Sequence, residues 1–448
     1  MFRKSFSLLL SQRITPYKKV INVDSDKSLS IRSFLIGAIS QNITNTKNVL
    51  ESEDVFSTIK CLKQLGVKIK RKQKGNYLVY GKGLGSLTLK KNSKLNFGNS
   101  GTLARLLIGI LSTTPGIYAY LKGDHSLNKR SMKSLLDLMK RFGATFIPKN
   151  KYKFPLKIIS SQLPVGIKYV SGNSAQLKSA VILAGLNSYG DTLIYEKVSS
   201  RDHTENLLIK NSKALKIKKS KKKIITVYGK KQLKSLTLNI GGDPSSAAFF
   251  TALTLLNKNS QLIIKNVGLN YTRTGFYEIL KSQKANIKFY NLKKENNEIK
   301  GDILVKSCKL KPIKVSAKLY SRTTDEYLIL FVIAALTKGV STFKGISDLA
   351  NKESSRALEM KKILSQIGIK SILKKDEMKI YGKGTFDAHK KHISVGNLGD
   401  HRVAMCAFIL GALTNAKTKI KNFETVFTSS PSFLKIMKSL GAKFEIQK

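Results

Sequence analysis

The sequence predicts an α/β protein of two domains, assembled from six repeats of one small module. Three observations carry this prediction. The chain has 448 residues, more than one ordinary core supports, so it is expected to divide. Polar, helix-starting residues followed by an apolar helical run return six times, at intervals of 70 to 80 residues. A second signal, a Leu-Gly-like helix end followed by a short alternating strand, returns in the same phase.

Taken in order, the six starts lie near Ser28, Gly101, Ala175, Ser245, Asp325 and His401. The second signal reads Leu65-Gly66-Val67, Phe142-Gly143-Ala144, Ile367-Gly368-Ile369 and Leu440-Gly441-Ala442, with weaker copies at Ala214-Leu215 and Lys284-Ala285. The period exceeds that of a solenoid repeat. Each repeat reads as two helices with several strands, three repeats to a domain. The first helix is apolar on nearly all sides, as in Leu328 to Leu336, so it is expected to be buried. Its N-terminus nevertheless carries the polar residues. Six such helices turning their positive ends toward one cleft would make a site for polyanions.

Lys and Arg number 81 against 27 Asp and Glu, a formal charge of +54. The lysines are scattered along the chain rather than gathered in a stripe or tail. That speaks against a nucleic-acid partner and for a solvated surface that attracts phosphorylated metabolites. The densest run, Lys216 to Lys223, reads as a turn. Cys61, Cys308 and Cys406 are too few and too dispersed for a disulfide framework or a thiolate metal cluster. The apolar patch Phe6–Leu10 is too short for a secretory segment, and no run approaches a membrane span. A cytoplasmic protein that binds no membrane is expected.

The stretch Phe97-Gly98-Asn99-Ser100-Gly101-Thr102 opens the second helix with small residues that leave backbone N–H groups open to an anion. A glycine-rich turn before a core helix is the plain alternative. Lys27, Arg32, Arg105, Arg130, Arg201, Arg356 and Arg402 fall at helix starts or in short polar motifs. Each alone reads as a surface cation. As a set tied to one repeated position they favour a site for two anionic substrates, because the guanidinium fork matches carboxylate and phosphate. Asp325-Glu326 and Lys352-Glu353 offer acid and base groups; the alternatives are an N-cap at Asp325 and a surface ion pair at Glu353. His389 and His392 stand in a Lys-rich stretch without further metal ligands. Gly81-Lys82-Gly83-Leu84-Gly85 lacks dinucleotide-binding spacing, and Ser100 has no evident His partner.

Several motifs resemble, in order and over nearly the whole chain, those of the 5-enolpyruvylshikimate-3-phosphate synthase (EPSP synthase, 3-phosphoshikimate 1-carboxyvinyltransferase) family. They are Asp26-Lys27-Ser28…Arg32, Gly98-Asn99-Ser100-Gly101-Thr102…Arg105, Lys129-Arg130, Ser174-Ala175-Gln176…Lys178-Ser179, Arg201-Asp202-His203-Thr204-Glu205, Gly242-Asp243, Thr272-Arg273, Asp325-Glu326, Lys352-Glu353…Arg356 and Gly399-Asp400-His401-Arg402. The resemblance implies the enolpyruvyl transferase fold: two domains of three βαβαββ units each, over 26–240 and over 1–25 plus 241–448, with the active site between them. It implies transfer of the enolpyruvyl group of phosphoenolpyruvate to the 5-hydroxyl of shikimate 3-phosphate, a step of chorismate and aromatic amino acid biosynthesis. It implies that phosphate leaves after a tetrahedral ketal, with no metal and no cofactor, and a monomer is expected.

By matched position, the resemblance puts Lys27, Ser28, Arg32, Ser174, Ala175, Gln176, Ser200, Arg201, Asp325 and Lys352 on shikimate 3-phosphate. Lys27, Asn99, Gly101, Arg130, Gln176, Arg356 and Arg402 would hold phosphoenolpyruvate. Asp325 would take the hydroxyl proton, and Glu353 with Lys27 would handle the proton at the methylene carbon. Three departures stand out. Asp24-Ser25 occupies the place of a customary Pro-Gly, Ser355 replaces an Asp beside Arg356, and Thr428-Ser429-Ser430-Pro431 lacks the Lys of enteric and plant members. The alternatives are the cell-wall transferase acting on UDP-N-acetylglucosamine and a basic, non-catalytic binding homologue. The former uses a loop Cys, and Cys61 lies outside the expected loop at Gly123–Arg130.

Overall fold

A computed structural model describes residues 5–219 and 223–447. The chain divides into two compact units: a first of residues 25–240 with 294–298, and a second of residues 5–24, 241–293 and 299–447. Each has its own apolar core.

Among the described residues six four-stranded sheets repeat one pattern, three in each unit: a parallel pair followed by two antiparallel neighbours. In the first unit Ser93–Asn96 lies parallel to Tyr118–Lys122, which pairs antiparallel with Leu156–Ile159 and that with Thr145–Ile147. The helix Gly101–Thr113 supplies the crossover of the parallel pair, as a parallel connection requires. Three sheets borrow a strand from far along the chain, one of them taking Lys18–Asn22 parallel to Gln261–Gly268. Thr237–Asn239 completes the first repeat by pairing with Ile43–Lys47, and Ser7–Leu10 completes the sixth between Lys417–Ile420 and Glu445–Gln447. The short apolar patch near the start is therefore sheet core, with Leu8 and Leu10 buried.

The six anticipated helices are Lys27–Ile39, Gly101–Thr113, Ala175–Leu186, Pro244–Leu256, Tyr327–Ala335 and His401–Thr414. They are buried along most or all of their length, and every residue of Pro244–Leu256 and Tyr327–Ala335 is inaccessible. Five begin with a side chain that accepts an N-terminal N–H: Asp26, Ser100, Ser174, Asp243 and Asp400. The exception is informative. Tyr327–Ala335 has Glu326 at the cap position with no capping bond, so Asp325 is not a cap.

The repeated helix end is a left-handed residue. Gly66, Gly143, Gly368 and Gly441 have φ between +75° and +95°, and the weaker copies place Lys213 (φ 52°) and Lys284 (φ 59°) there instead. A further glycine recurs after a strand, in Tyr80-Gly81-Lys82, Tyr228-Gly229-Lys230 and Tyr381-Gly382-Lys383. A Cβ there would stand 2.0 Å from the carbonyl oxygens of Ser40, Ser188 and Thr337, at the ends of three buried helices. Backbone meets backbone at these points, which fixes glycine.

The anticipated turn at Lys216–Lys223 is corrected by the structure. Leu215–Lys219 is a strand paired with Lys223–Tyr228, because Leu215, Ile225 and Val227 face the core while the lysines alternate outward. Residues 220–222 lie outside the described residues. Among the described residues no helix is long and apolar enough to cross a membrane.

Candidate functional site

Within the first unit, three buried helices present their N-termini side by side. Arg105, one turn into Gly101–Thr113, donates to Gln176 Oε1 at 3.0 Å, and Gln176 Nε2 donates to Thr102 Oγ1 at 3.0 Å. At the other end Asn187 Nδ2 donates to the Thr113 carbonyl. First turn meets first turn and last meets last, so these two helices run parallel with their positive ends together. Arg32 of Lys27–Ile39 joins them, with Nε on Thr204 Oγ1 (2.9 Å) and Nη2 on Ser179 Oγ (3.1 Å).

The other predicted residues of this half fall around the same three helix starts. Arg32 Nη1 donates to the Ser28 carbonyl, and Lys27 pairs with Asp54 at 3.1 Å. Arg130 Nη2 donates to Asn99 Oδ1 at 3.0 Å, and its Nη1 would lie 3.4 Å from a Cβ on Gly101. Arg105 Nη1 would lie at 2.7 Å from that same Cβ, so Gly101 keeps the space between two guanidinium groups open. Ser174 is exposed, its hydroxyl accepting the Leu177 N–H, with Ala175 half-buried after it. Ser200 is buried and its hydroxyl donates inward to Glu196, while Arg201 is half-buried.

The sequence reading passed over the group that holds Ser200. Lys178, wholly buried, places Nζ 2.6 Å from Glu196 and 2.7 Å from Glu205, and Lys223 reaches Glu196 at 2.8 Å. Burial alone would lift the Glu196 carboxyl, but Lys178 and Lys223 outweigh it and bring its pKa to about 2. The Lys178 ammonium is likewise held above its ordinary value, Glu205 and Glu196 overcoming its burial. A signal existed: Thr192, Ile194 and Glu196 share the inward phase of the strand Asp191–Glu196, and a carboxylate in that phase demands a buried cation.

Within the second unit a second constellation forms at the starts of two buried helices and of Arg356–Gln366. Arg356 is fully buried, with Nε 2.9 Å from Asp400, Nη2 2.6 Å from Glu353 and Nη1 3.7 Å from Asp325. Burial would lower its pKa, and the carboxylates of Asp400, Glu353 and Asp325 more than reverse this. Arg402 approaches the other oxygen of Asp325 at 3.6 Å and donates to the Asp325 carbonyl at 3.1 Å. Asp325 therefore stands between two guanidinium groups, its side chain 20% exposed. Lys352 stands apart from this set, its ammonium 2.5 Å from Asp348.

Behind Asp325 lies a buried network that the motifs contain without revealing its role. Arg273 donates to Asp243 Oδ1 (3.1 Å) and Ser245 Oγ (2.9 Å), and Ser245 donates to Glu326. It locks the start of Pro244–Leu256 against the residue following Asp325. The lack of a carboxylate at Ser355 leaves Arg356 with three carboxylate neighbours, and Ser354 Oγ donates to Asp400 at 3.0 Å. Two other departures are bonded to each other. Asp24 Oδ2 accepts the Ser430 hydroxyl at 3.1 Å and the Ser432 N–H at 2.9 Å.

Comparison with known proteins agrees with these motifs. The family described as EPSP synthase (3-phosphoshikimate 1-carboxyvinyltransferase) matches residues 11–437. The chain is 34% identical over 438 residues to the 3-phosphoshikimate 1-carboxyvinyltransferase of Paramagnetospirillum magneticum, covering 97% of each protein. It is also 34% identical to that of Bacillus subtilis, over 94% of this chain and 97% of the relative. Among solved structures, EPSP synthase from Acinetobacter baumannii superposes with a TM-score of 0.86 at 32% identity, over 99% of this chain and 100% of the other. The enolpyruvyl transferase NikO from Streptomyces tendae shares the fold, with a TM-score of 0.76 at 12% identity over 99% of both chains.

Proposed function

The chain belongs to the EPSP synthase family, and from this premise we infer that it transfers the enolpyruvyl group of phosphoenolpyruvate to the 5-hydroxyl of shikimate 3-phosphate. Phosphate is released, and the product feeds chorismate and aromatic amino acid biosynthesis. The observation that best supports the chemistry is Asp325 standing between Arg356 and Arg402. A proton acceptor lies there beside two groups suited to an anionic substrate.

The proposed sequence is addition followed by elimination. A proton adds to the methylene carbon of phosphoenolpyruvate, and positive character builds at the neighbouring carbon. The hydroxyl oxygen attacks that carbon and gives its proton to Asp325. The resulting tetrahedral ketal loses phosphate and a methyl proton, restoring the double bond. Lys27 and Glu353 exchange the proton at the methyl carbon. Gly101, Asn99, Arg130, Gln176, Arg356 and Arg402 hold phosphoenolpyruvate. Ser28, Arg32, Ser174, Ala175, Gln176, Ser200, Arg201 and Lys352 hold shikimate 3-phosphate. The reading includes a monomer in the cytoplasm.

Phosphate release from phosphoenolpyruvate tests the reading, with shikimate 3-phosphate and UDP-N-acetylglucosamine as rival acceptors. Release with the shikimate ester alone supports it. Release with the nucleotide sugar alone, or with neither acceptor from folded protein, overturns it.

A further inference from the structure

We propose that Glu196 is a positioning residue for this reaction: with Lys178 it clamps Ser200 and so fixes where Arg201 is presented to shikimate 3-phosphate. The inference rests on the functional reading above and adds a residue that touches no substrate. Glu196 Oε1 accepts from Lys178 Nζ at 2.6 Å, from the Ser200 N–H at 3.0 Å and from the Ser200 hydroxyl at 3.1 Å. Lys178 Nζ also reaches the Ser200 carbonyl at 3.4 Å. The N–H, carbonyl and hydroxyl of one residue are all tied to buried charges, and Arg201 follows directly.

Stability alone does not account for such a cluster. Buried ion clusters often cost as much to desolvate as their attraction returns, and apolar residues of similar volume often serve stability as well. What the charges provide is geometry. The strand Asp191–Glu196 and the helix Ala175–Leu186 are fixed elements, and Ser200 is pinned to one residue of each. The arrangement also assigns roles within the pair. The Ser200 hydroxyl hydrogen is committed to Glu196, so an arriving phosphate competes with a buried carboxylate for it. Within this segment the Arg201 guanidinium then supplies the positive charge that meets the ester beside Ser200.

Two variants separate reach from charge. Glu196→Asp keeps the charge beside Lys178 but is one methylene too short to hold Ser200. Its KM and Kd for shikimate 3-phosphate should rise about tenfold, with kcat and the KM for phosphoenolpyruvate within about twofold. Glu196→Gln keeps the reach and an acceptor oxygen, and both constants should stay within about threefold of wild type. Unchanged affinity in folded Glu196→Asp, or equal increases in both KM values, overturns the proposal. Hydrogen exchange on the wild-type protein supplies a test free of folding failure. The Ser200 amide should be protected without substrate, and full exchange within seconds overturns the clamp. Wild-type protein that fails to bind shikimate 3-phosphate would refute the functional reading instead.

Discussion

Asp325→Asn removes a proton acceptor while leaving its surroundings almost intact. The carboxylate is 3.7 Å from Arg356 and 3.6 Å from Arg402, and its side chain is 20% exposed. Long, partly solvated pairs of this kind contribute about 1 kcal/mol or less. Arg356 retains its shorter contacts with Glu353 (2.6 Å) and Asp400 (2.9 Å), so the buried guanidinium is not left uncompensated. The stability loss should therefore stay below about 1 kcal/mol, a shift of a few degrees in Tm. The loss in rate is of another size. General-base assistance contributes about 100- to 10,000-fold, equivalent to about 3–5 kcal/mol of barrier. Steady-state phosphate release and thermal unfolding on the same preparation separate the two quantities. A variant that keeps more than about a third of wild-type kcat, or one whose activity falls only with its folded fraction, refutes the assignment.

Three further outcomes follow from particular contacts. Gly101→Ala places a Cβ 2.7 Å from Arg105 Nη1 and 3.4 Å from Arg130 Nη1. The crowding atoms end flexible side chains, so stability should change by less than about 1 kcal/mol while the KM for phosphoenolpyruvate rises several-fold. Lys284→Gly relieves a left-handed backbone (φ 59°) at a position that is glycine in four other repeats, and should gain about 1 kcal/mol in urea unfolding. Glu196 is held at about 2 against an ordinary 4.5. A lowered folded-state pKa contributes stability that is fully present above 4.5 and lost as pH falls toward 2. The stability advantage of wild type over Glu196→Gln should shrink across that window in denaturant titrations, and a constant difference would show that Glu196 is not held ionised by its lysines.

The repeat was legible because its signals are local. A side chain that caps a helix, an apolar run, and a glycine that ends the next helix are each written within a few neighbouring residues, so the six buried helices lie within two residues of their anticipated starts. Where Lys213 and Lys284 stand in for that glycine, the signal faded although the backbone conformation did not. The Leu215–Lys219 strand was hidden by its charge, because its inward residues alternate with lysines and two elements read as one basic run. The borrowed strands Ser7–Leu10, Lys18–Asn22 and Thr237–Asn239 were not legible, since pairing across hundreds of residues leaves no mark in either segment.

The site residues were visible as types and motifs, but their partners were not. Asp325 was open to a capping role until the helix was found to start beyond it. Arg356 stood beside a missing carboxylate at Ser355, and only the fold supplies Asp400, from 44 residues away. Glu196 carried no motif at all. Its importance lies in what the fold folds around it.

Solvent deuterium is the most direct probe of the central claim, that a proton enters and leaves the methyl carbon as enolpyruvyl is transferred. The reaction of phosphoenolpyruvate with shikimate 3-phosphate in deuterium oxide would be followed by NMR. The account predicts an enolpyruvyl ether carrying deuterium in its vinyl methylene, formed in step with phosphate release and dependent on both substrates. Phosphate released with pyruvate and no ether, or an ether free of deuterium, would contradict it.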